Sequence, residues 1–213
     1  MRIAIALPCY GDFSRETTLS LAMMMLRLGA DPPQGLDFIG IDWRTSSNLP
    51  ESRAVLASRA IVKHKADAIL WIDSDMGFPA DTLHRLLAHE LDIVGCNAAR
   101  RIAPHTSSVS GLDGRHLIPK SDGIEEVSVM GFGVLLTRTH IFEKIPPYWF
   151  AHEDEDGYCT EDVVFCKKAR AAGFSIWCDH GLSAQVTHTA AQVLRISDIE
   201  VIRDVRRAED KTA

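Results

Sequence analysis

Long apolar runs are missing from this 213-residue chain. No stretch approaches the ~20 consecutive apolar residues of a membrane-spanning helix, so no span is expected. An excess of positive charge is missing too: 23 Lys and Arg stand against 29 Asp and Glu, a net charge of −6. That balance excludes general binding to a nucleic-acid backbone, which needs a basic surface. Cysteine is sparse, and Cys9, Cys96, Cys159, Cys166 and Cys178 form no Cys-x-x-Cys pair. Their odd number and scatter suit a reducing, cytoplasmic setting with buried thiols. No internal repeat or low-complexity tract occurs. What is present is ordinary for a soluble globular protein, 46% hydrophobic and 24% charged, and one domain over residues 1–213 is expected.

Periodicity predicts alternating strands and helices. Arg2 to Leu7 reads as a strand rather than a signal peptide, because Pro8 ends its apolar core too early. A helix over Ser14 to Leu28, closed by Gly29, precedes a turn at 31–35 and a strand from Leu36 to Trp43. Leu49 to His64 reads as the next helix, leading into a strand that ends at Asp73. Beyond it come a helix from Pro79 to His89 and a strand from Asp92 to Cys96. Residues 100–122 lose periodicity and read as a long functional or mobile loop. Met130 to Leu136 reads as one strand, followed by a helical turn near 140–145 and a solvated acidic loop at 152–157 that lacks the ligand pattern of an EF-hand. Thr160 is placed as the N-cap of a helix to Ala172, followed by a strand from Phe174 to Cys178. Val193 to about Ala208 reads as an amphipathic terminal helix with Arg203, Arg206 and Arg207 on a solvated face. This β-α-β-α-β alternation predicts a three-layer α/β/α fold with a mostly parallel, doubly wound sheet.

The most informative stretch is Ala68-Ile69-Leu70-Trp71-Ile72-Asp73-Ser74-Asp75. A short apolar run bounded by polar residues reads as a strand buried on both faces. In open α/β sheets, ligands bind beyond the carboxyl ends of such strands. Asp73 and Asp75 would point to one side if the strand geometry continued, and two close carboxylates repel unless a cation neutralises them. A divalent metal carrying a diphosphate would do so. The alternative is helix capping by Asp75 or a neighbour.

With these pieces in place the chain resembles the GT-A-fold nucleotide-sugar glycosyltransferases, in particular the family-two type and its small bacterial and phage relatives. Four features carry the resemblance in order: Pro8-Cys9-Tyr10 after the first strand, Asn48-Leu49-Pro50-Glu51-Ser52-Arg53, Ile72-Asp73-Ser74-Asp75, and Thr160-Glu161-Asp162-Val163-Val164-Phe165. The stretch 100–122 matches none of it.

The resemblance implies a hexosyltransferase-type reaction: a sugar moves from a nucleoside-diphosphate donor, a UDP- or GDP-sugar, to an acceptor hydroxyl of unspecified identity. It implies Mn²⁺ or Mg²⁺ held by Asp75, with Asp73 on the ribose or the same ion. His188 is the first candidate for a further metal ligand and His180 the second. Pro8, Tyr10 and Asp42 would line the nucleotide pocket, Arg53 would reach a phosphate or the sugar, and Ser74 and Gly131 would also touch the donor, with Gly133 beside them. Asp162 would be the general base of an inverting displacement, with Glu161 beside it. Both acids also suit the dipole of a helix start. The acceptor site would be built from loops 100–122 and 148–158, ordered by donor binding. Two other readings stand beside this one. A nucleotidyltransferase would share sheet and metal but usually wants a Gly-rich basic loop after the first strand, which 8–15 hardly offers. A non-catalytic nucleotide- or glycan-binding protein would not need both acidic pairs. A haloacid dehalogenase-type phosphatase is rejected, since its Asp-x-Asp sits on the first strand. A homo-oligomer is compatible with the sequence.

Overall fold

Ile3, Ile5, Leu7, Leu70 and Ile72 enter one apolar core while Ala4, Ala6, Ile69 and Trp71 enter another, the period-two split of strands buried on both faces. The computed structural model describes residues 1–154, 157–190 and 193–199. Its first half runs β1 (Arg2–Cys9), α1 (Arg15–Ala30), β2 (Phe38–Thr45), α2 (Leu49–Val62), β3 (Ala68–Ile72), β4 (Met76–Gly77), α3 (Thr82–Ala88) and β5 (Ile93–Gly95). The second half adds β6 (Val109–Gly111), β7 (Ile124–Met130), β8 (Val134–Arg138), α4 (Ile141–Lys144), β9 (Glu153–Asp154) and β10 (Gly157–Tyr158). It closes with α5 (Glu161–Ala171), β11 (Ile176–Asp179), α6 (His180–Ser183), β12 (Thr187–Thr189), β13 (Val193–Arg195) and a 3₁₀ turn at Ile196–Asp198.

Eight strands form the main sheet in the order β2-β1-β3-β8-β5-β11-β7-β6. β1, β2, β3, β5, β6 and β11 point one way, and β7 and β8 oppose them. The core on one face takes side chains from α2, α4 and α5, and the core on the other takes them from α1, α3 and α6. This is the expected three-layer, mostly parallel arrangement. β3 lies between β1 and β8, and its five residues are all 0% exposed. Pro8 is tolerated in β1 because the ladder with β3 stops at Ala6, so its missing N–H is not needed there.

Several boundaries differ from the sequence expectation. Gly29 does not close its helix; α1 continues to Ala30, and the Asp31 N–H bonds back to Arg27 O at 2.8 Å. The run 130–136 is not one strand: β7 ends at Met130 and β8 begins at Val134. The chain keeps its direction but is displaced across β5 and β11 by Gly131-Phe132-Gly133, whose aromatic side chain is 1% exposed. The stretch 100–122 is not structureless, since it contains β6 and bridges Ala99 to Ser107 and Ser110 to His116. The acidic loop at 152–157 carries the short β9–β10 antiparallel pair. The expected terminal helix is a strand and a 3₁₀ turn over 193–198, and its remainder from Glu200, with Arg203, Arg206 and Arg207, lies outside the described residues. All five cysteines are unpaired; burial pushes Cys166 up to about 12 and Cys178 up to about 11, so these two are inert thiols. Among the described residues no helix is long and apolar enough to cross a membrane.

Candidate active site

The turn Asp73-Ser74-Asp75 leaves the carboxyl end of β3, and backbone bonds from three distant segments fix it. Asp73 N donates to Gly133 O at 3.0 Å, Ser14 N to Ser74 O at 2.8 Å, and Thr189 N to Asp75 O at 2.8 Å. Immediately beyond, β4 pairs with β12, placing His188 opposite Met76 and Thr187 opposite Gly77. A Cβ on Gly77 would lie 2.4 Å from Thr187 Oγ1, so the close approach of β12 to this turn requires glycine.

Three of the sequence motifs converge on the Arg53 guanidinium. α2 starts with Asn48 Oδ1 accepting the Glu51 N–H at 3.2 Å, and its buried stripe falls at 53, 56, 57 and 60. Arg53 therefore occupies a core position on the helix and is 1% exposed. Its Nε donates to Glu161 Oε1 and its Nη2 to Asp73 Oδ1, each at 2.9 Å. The guanidinium carbon lies 4.9 Å from the centre of the Phe132 ring, within a cluster that includes Trp71, Phe150 and Phe165. Burial pushes the Arg53 pKa down, but the charges of Asp73 and Glu161 outweigh it and hold the value above the ordinary one. Arg53 Nη1 is buried without a partner among the described residues.

Asp75 belongs to a second group. Its Oδ2 lies 2.8 Å from Arg101 Nη1 and 3.4 Å from His188 Nε2, while its Oδ1 is buried without a partner among the described residues. His188 Nδ1 donates to Ala99 O at 2.8 Å, which fixes the ring with Nε2 toward Asp75. Burial pushes the Asp75 carboxyl up, but the His188 bond and the His188 and Arg101 charges hold it below its usual value. Burial likewise pushes His188 down, and Asp75 more than offsets this, so its pKa is raised. One carboxylate and one imidazole, with an orphaned carboxylate oxygen, form a donor set that fits a divalent cation. Among the described residues no group of three His, Cys, Asp or Glu side chains gathers, so water and substrate phosphate would have to complete the shell, as they do for Mg²⁺ and similar ions.

Other expected residues fall elsewhere. Glu161 is buried against Arg53, whereas Asp162 is half-buried, its Oδ1 accepting from Thr160 Oγ1 and from Val163 N. Thr160 thus turns its hydroxyl to Asp162 and makes no side-chain cap of α5. Tyr10 is exposed, and Ser74 is held through its backbone. Gly131 packs against Ser108, where a Cβ would come within 3.3 Å, and Gly133 packs against Met76. Asp42 is not gathered with the aspartate turn; Lys63 and His64 beyond the end of α2 hold its carboxylate. His180 is buried with Nε2 at 3.0 Å from Glu125 and Nδ1 accepting from Lys120 N, so His188 is the histidine brought to Asp75. Sequence reasoning passed over Arg101. Its one signal was the Arg100-Arg101 pair opening a loop just past the carboxyl end of a buried strand.

No protein-family model and no curated protein matches the sequence. Among solved structures, A197 from STIV is similar with a TM-score of 0.58 at 16% identity, over 96% of this chain and 100% of A197. The fold is GT-A-like. At that identity the likeness establishes the shared fold alone. S. aureus TarS 1-349, solved in complex with UDP, reaches a TM-score of 0.49 at 16% identity, over 84% of this chain and 57% of TarS 1-349. GalNAc-T7, solved with UDP, GalNAc and Mn²⁺, reaches 0.47 at 9% identity, over 85% of this chain and 43% of its own. The chain spans about half the length of these two, and likenesses at that level bear on nothing further.

Proposed function

We propose that this GT-A-like chain transfers a sugar from a nucleoside-diphosphate sugar to an acceptor hydroxyl with the help of Mn²⁺ or Mg²⁺. The observation that carries this reading is Asp75. It stands at the carboxyl end of a fully buried central strand, beside His188 Nε2, with one buried carboxylate oxygen unpartnered among the described residues. Asp75 and His188 would hold the cation, which would supply charge neutralisation of the diphosphate leaving group. The acceptor oxygen bonds to the anomeric carbon, the bond from that carbon to the diphosphate breaks, and the nucleoside diphosphate leaves. The acceptor's proton passes to Asp162, the more accessible acid of its pair. Glu161 and Asp73 are held by Arg53 and position the site, while Pro8, Tyr10, Ser74 and Gly131 would border the donor.

Thermal unfolding against a panel of nucleoside diphosphates, each with and without Mn²⁺, tests the reading. A bound nucleotide at a hundredfold excess over its dissociation constant adds about 2.7 kcal/mol. A rise that requires Mn²⁺, occurs with UDP or GDP and is abolished in Asp75→Ala is expected. A flat panel would overturn the metal–diphosphate site.

A further inference from the structure

Asp75 Oδ2 faces two nitrogen groups of different character. His188 is half-buried and anchored, its second ring nitrogen bonded to Ala99 O. Arg101 has a side chain 57% exposed and meets Asp75 at 2.8 Å from a short loop. The base of that loop is closed by the Ala99–Ser107 bridge and by Arg100 N donating to Thr106 O at 2.8 Å. Segment 99–101 therefore both aims the imidazole and supplies a guanidinium to the same carboxylate oxygen.

Resting on the metal-dependent reading above, we propose that Arg101 is the resident counter-ion of the cation position. A divalent cation displaces it from Asp75, and the released guanidinium then binds the donor's diphosphate. His188 Nε2 faces Oδ2, so a dication held by the imidazole and Asp75 would share that oxygen with a guanidinium of like sign, and the two compete for it. Arg101 can leave at little cost, because its own side chain is 57% exposed and regains water, and its loop is closed by backbone bonds that its side chain does not make. Its planar fork of N–H donors suits phosphate oxygens, the most negative groups a nucleotide donor would bring there. The exchange involves only ion pairing and makes no covalent change.

Mn²⁺ alone, titrated into the full chain and followed by electron paramagnetic resonance of the free ion, tests the competition. Arg101→Gln is expected to bind Mn²⁺ about two- to fivefold more tightly than the unaltered chain, the gain from removing a competitor whose guanidinium is open to solvent. Asp75→Asn is expected to bind it at least about tenfold more weakly. With Mn²⁺ saturating, Arg101→Gln should hold UDP or GDP about tenfold more weakly, having lost a charge-assisted contact. Equal or weaker Mn²⁺ binding in Arg101→Gln, with Asp75→Asn still impaired, would overturn the displacement and leave the metal reading standing. Unchanged nucleotide affinity in Arg101→Gln would overturn the second role. Equal Mn²⁺ binding by the unaltered chain and Asp75→Asn would sink the exchange and the metal reading together.

Discussion

Asp73 gives its carboxylate to an arginine that is 1% exposed, whereas Asp75, two residues on, meets an arginine whose side chain is 57% exposed. The first pair is part of the core. Arg53 lies against Phe132, reaches Asp73 and Glu161 with separate nitrogens, and so ties the turn after β3 to the start of α5. A buried charge linked in this way cannot be exchanged without leaving a partner uncompensated. The second pair has its arginine at the rim, with one carboxylate oxygen unpartnered among the described residues and a histidine in place. Two carboxylates of similar exposure, 29% for the Asp73 side chain and 22% for that of Asp75, are thus divided by the depth of the arginines they meet into a fixed support and an exchangeable site.

The largest effect should come from breaking the support. Arg53→Met is expected to destabilise by about 3–5 kcal/mol in denaturant unfolding, since it strands the buried Glu161. Arg53→Lys should recover only part of this, because one ammonium cannot reproduce the fork that spans two acids. A loss below about 1 kcal/mol in Arg53→Met would erase the distinction between the two groups. Next in size, Asp75→Asn should lower turnover by about 10²–10³-fold, the range for a lost charge-stabilising contact, while unfolding changes by less than about 1 kcal/mol. A variant that unfolds readily but turns over normally would reverse the assignment.

The smallest effect is the pH dependence of the rim pair in metal-free protein. His188 is raised above its ordinary 6.5, so its contribution is complete below that pH and is lost as pH rises through the folded-state value. Asp75 is lowered below its ordinary 3.8, so its contribution is complete above that pH and is lost as pH falls through the folded-state value. The stability difference between the unaltered chain and Asp75→Asn should therefore shrink on both sides of a mid-acid plateau, by less than about 1 kcal/mol. A difference that grows above pH 7 would break this account.

Much of this arrangement could be read from the chain before folding. The buried strand at 68–72 and the acids after it follow from composition and position, and the helices at 15–30, 49–62 and 161–171 follow from hydrophobic spacing. The pairing of Asp75 with His188 came from family resemblance. Neither periodicity nor spacing links residues 113 positions apart, and the β4–β12 pair that joins them is two to three residues long. Arg53 carried a local signal that went unused: a charge at 53 on a stripe continued by Leu56, Ala57 and Ala60 is an arginine in a core position.

Local sequence determined the main helices and the central buried strands, because turn residues and hydrophobic period act within a few residues of chain. It also determined that carboxylates would stand at the end of a buried strand. Tertiary structure alone decided which cation each carboxylate meets. Arg53 arrives from 20 residues before Asp73, Arg101 from 26 residues after Asp75, and His188 from a strand near the end of the described chain. Charge pairing depends on distance and burial in space, and neither is encoded in the local pattern of the residues that are paired.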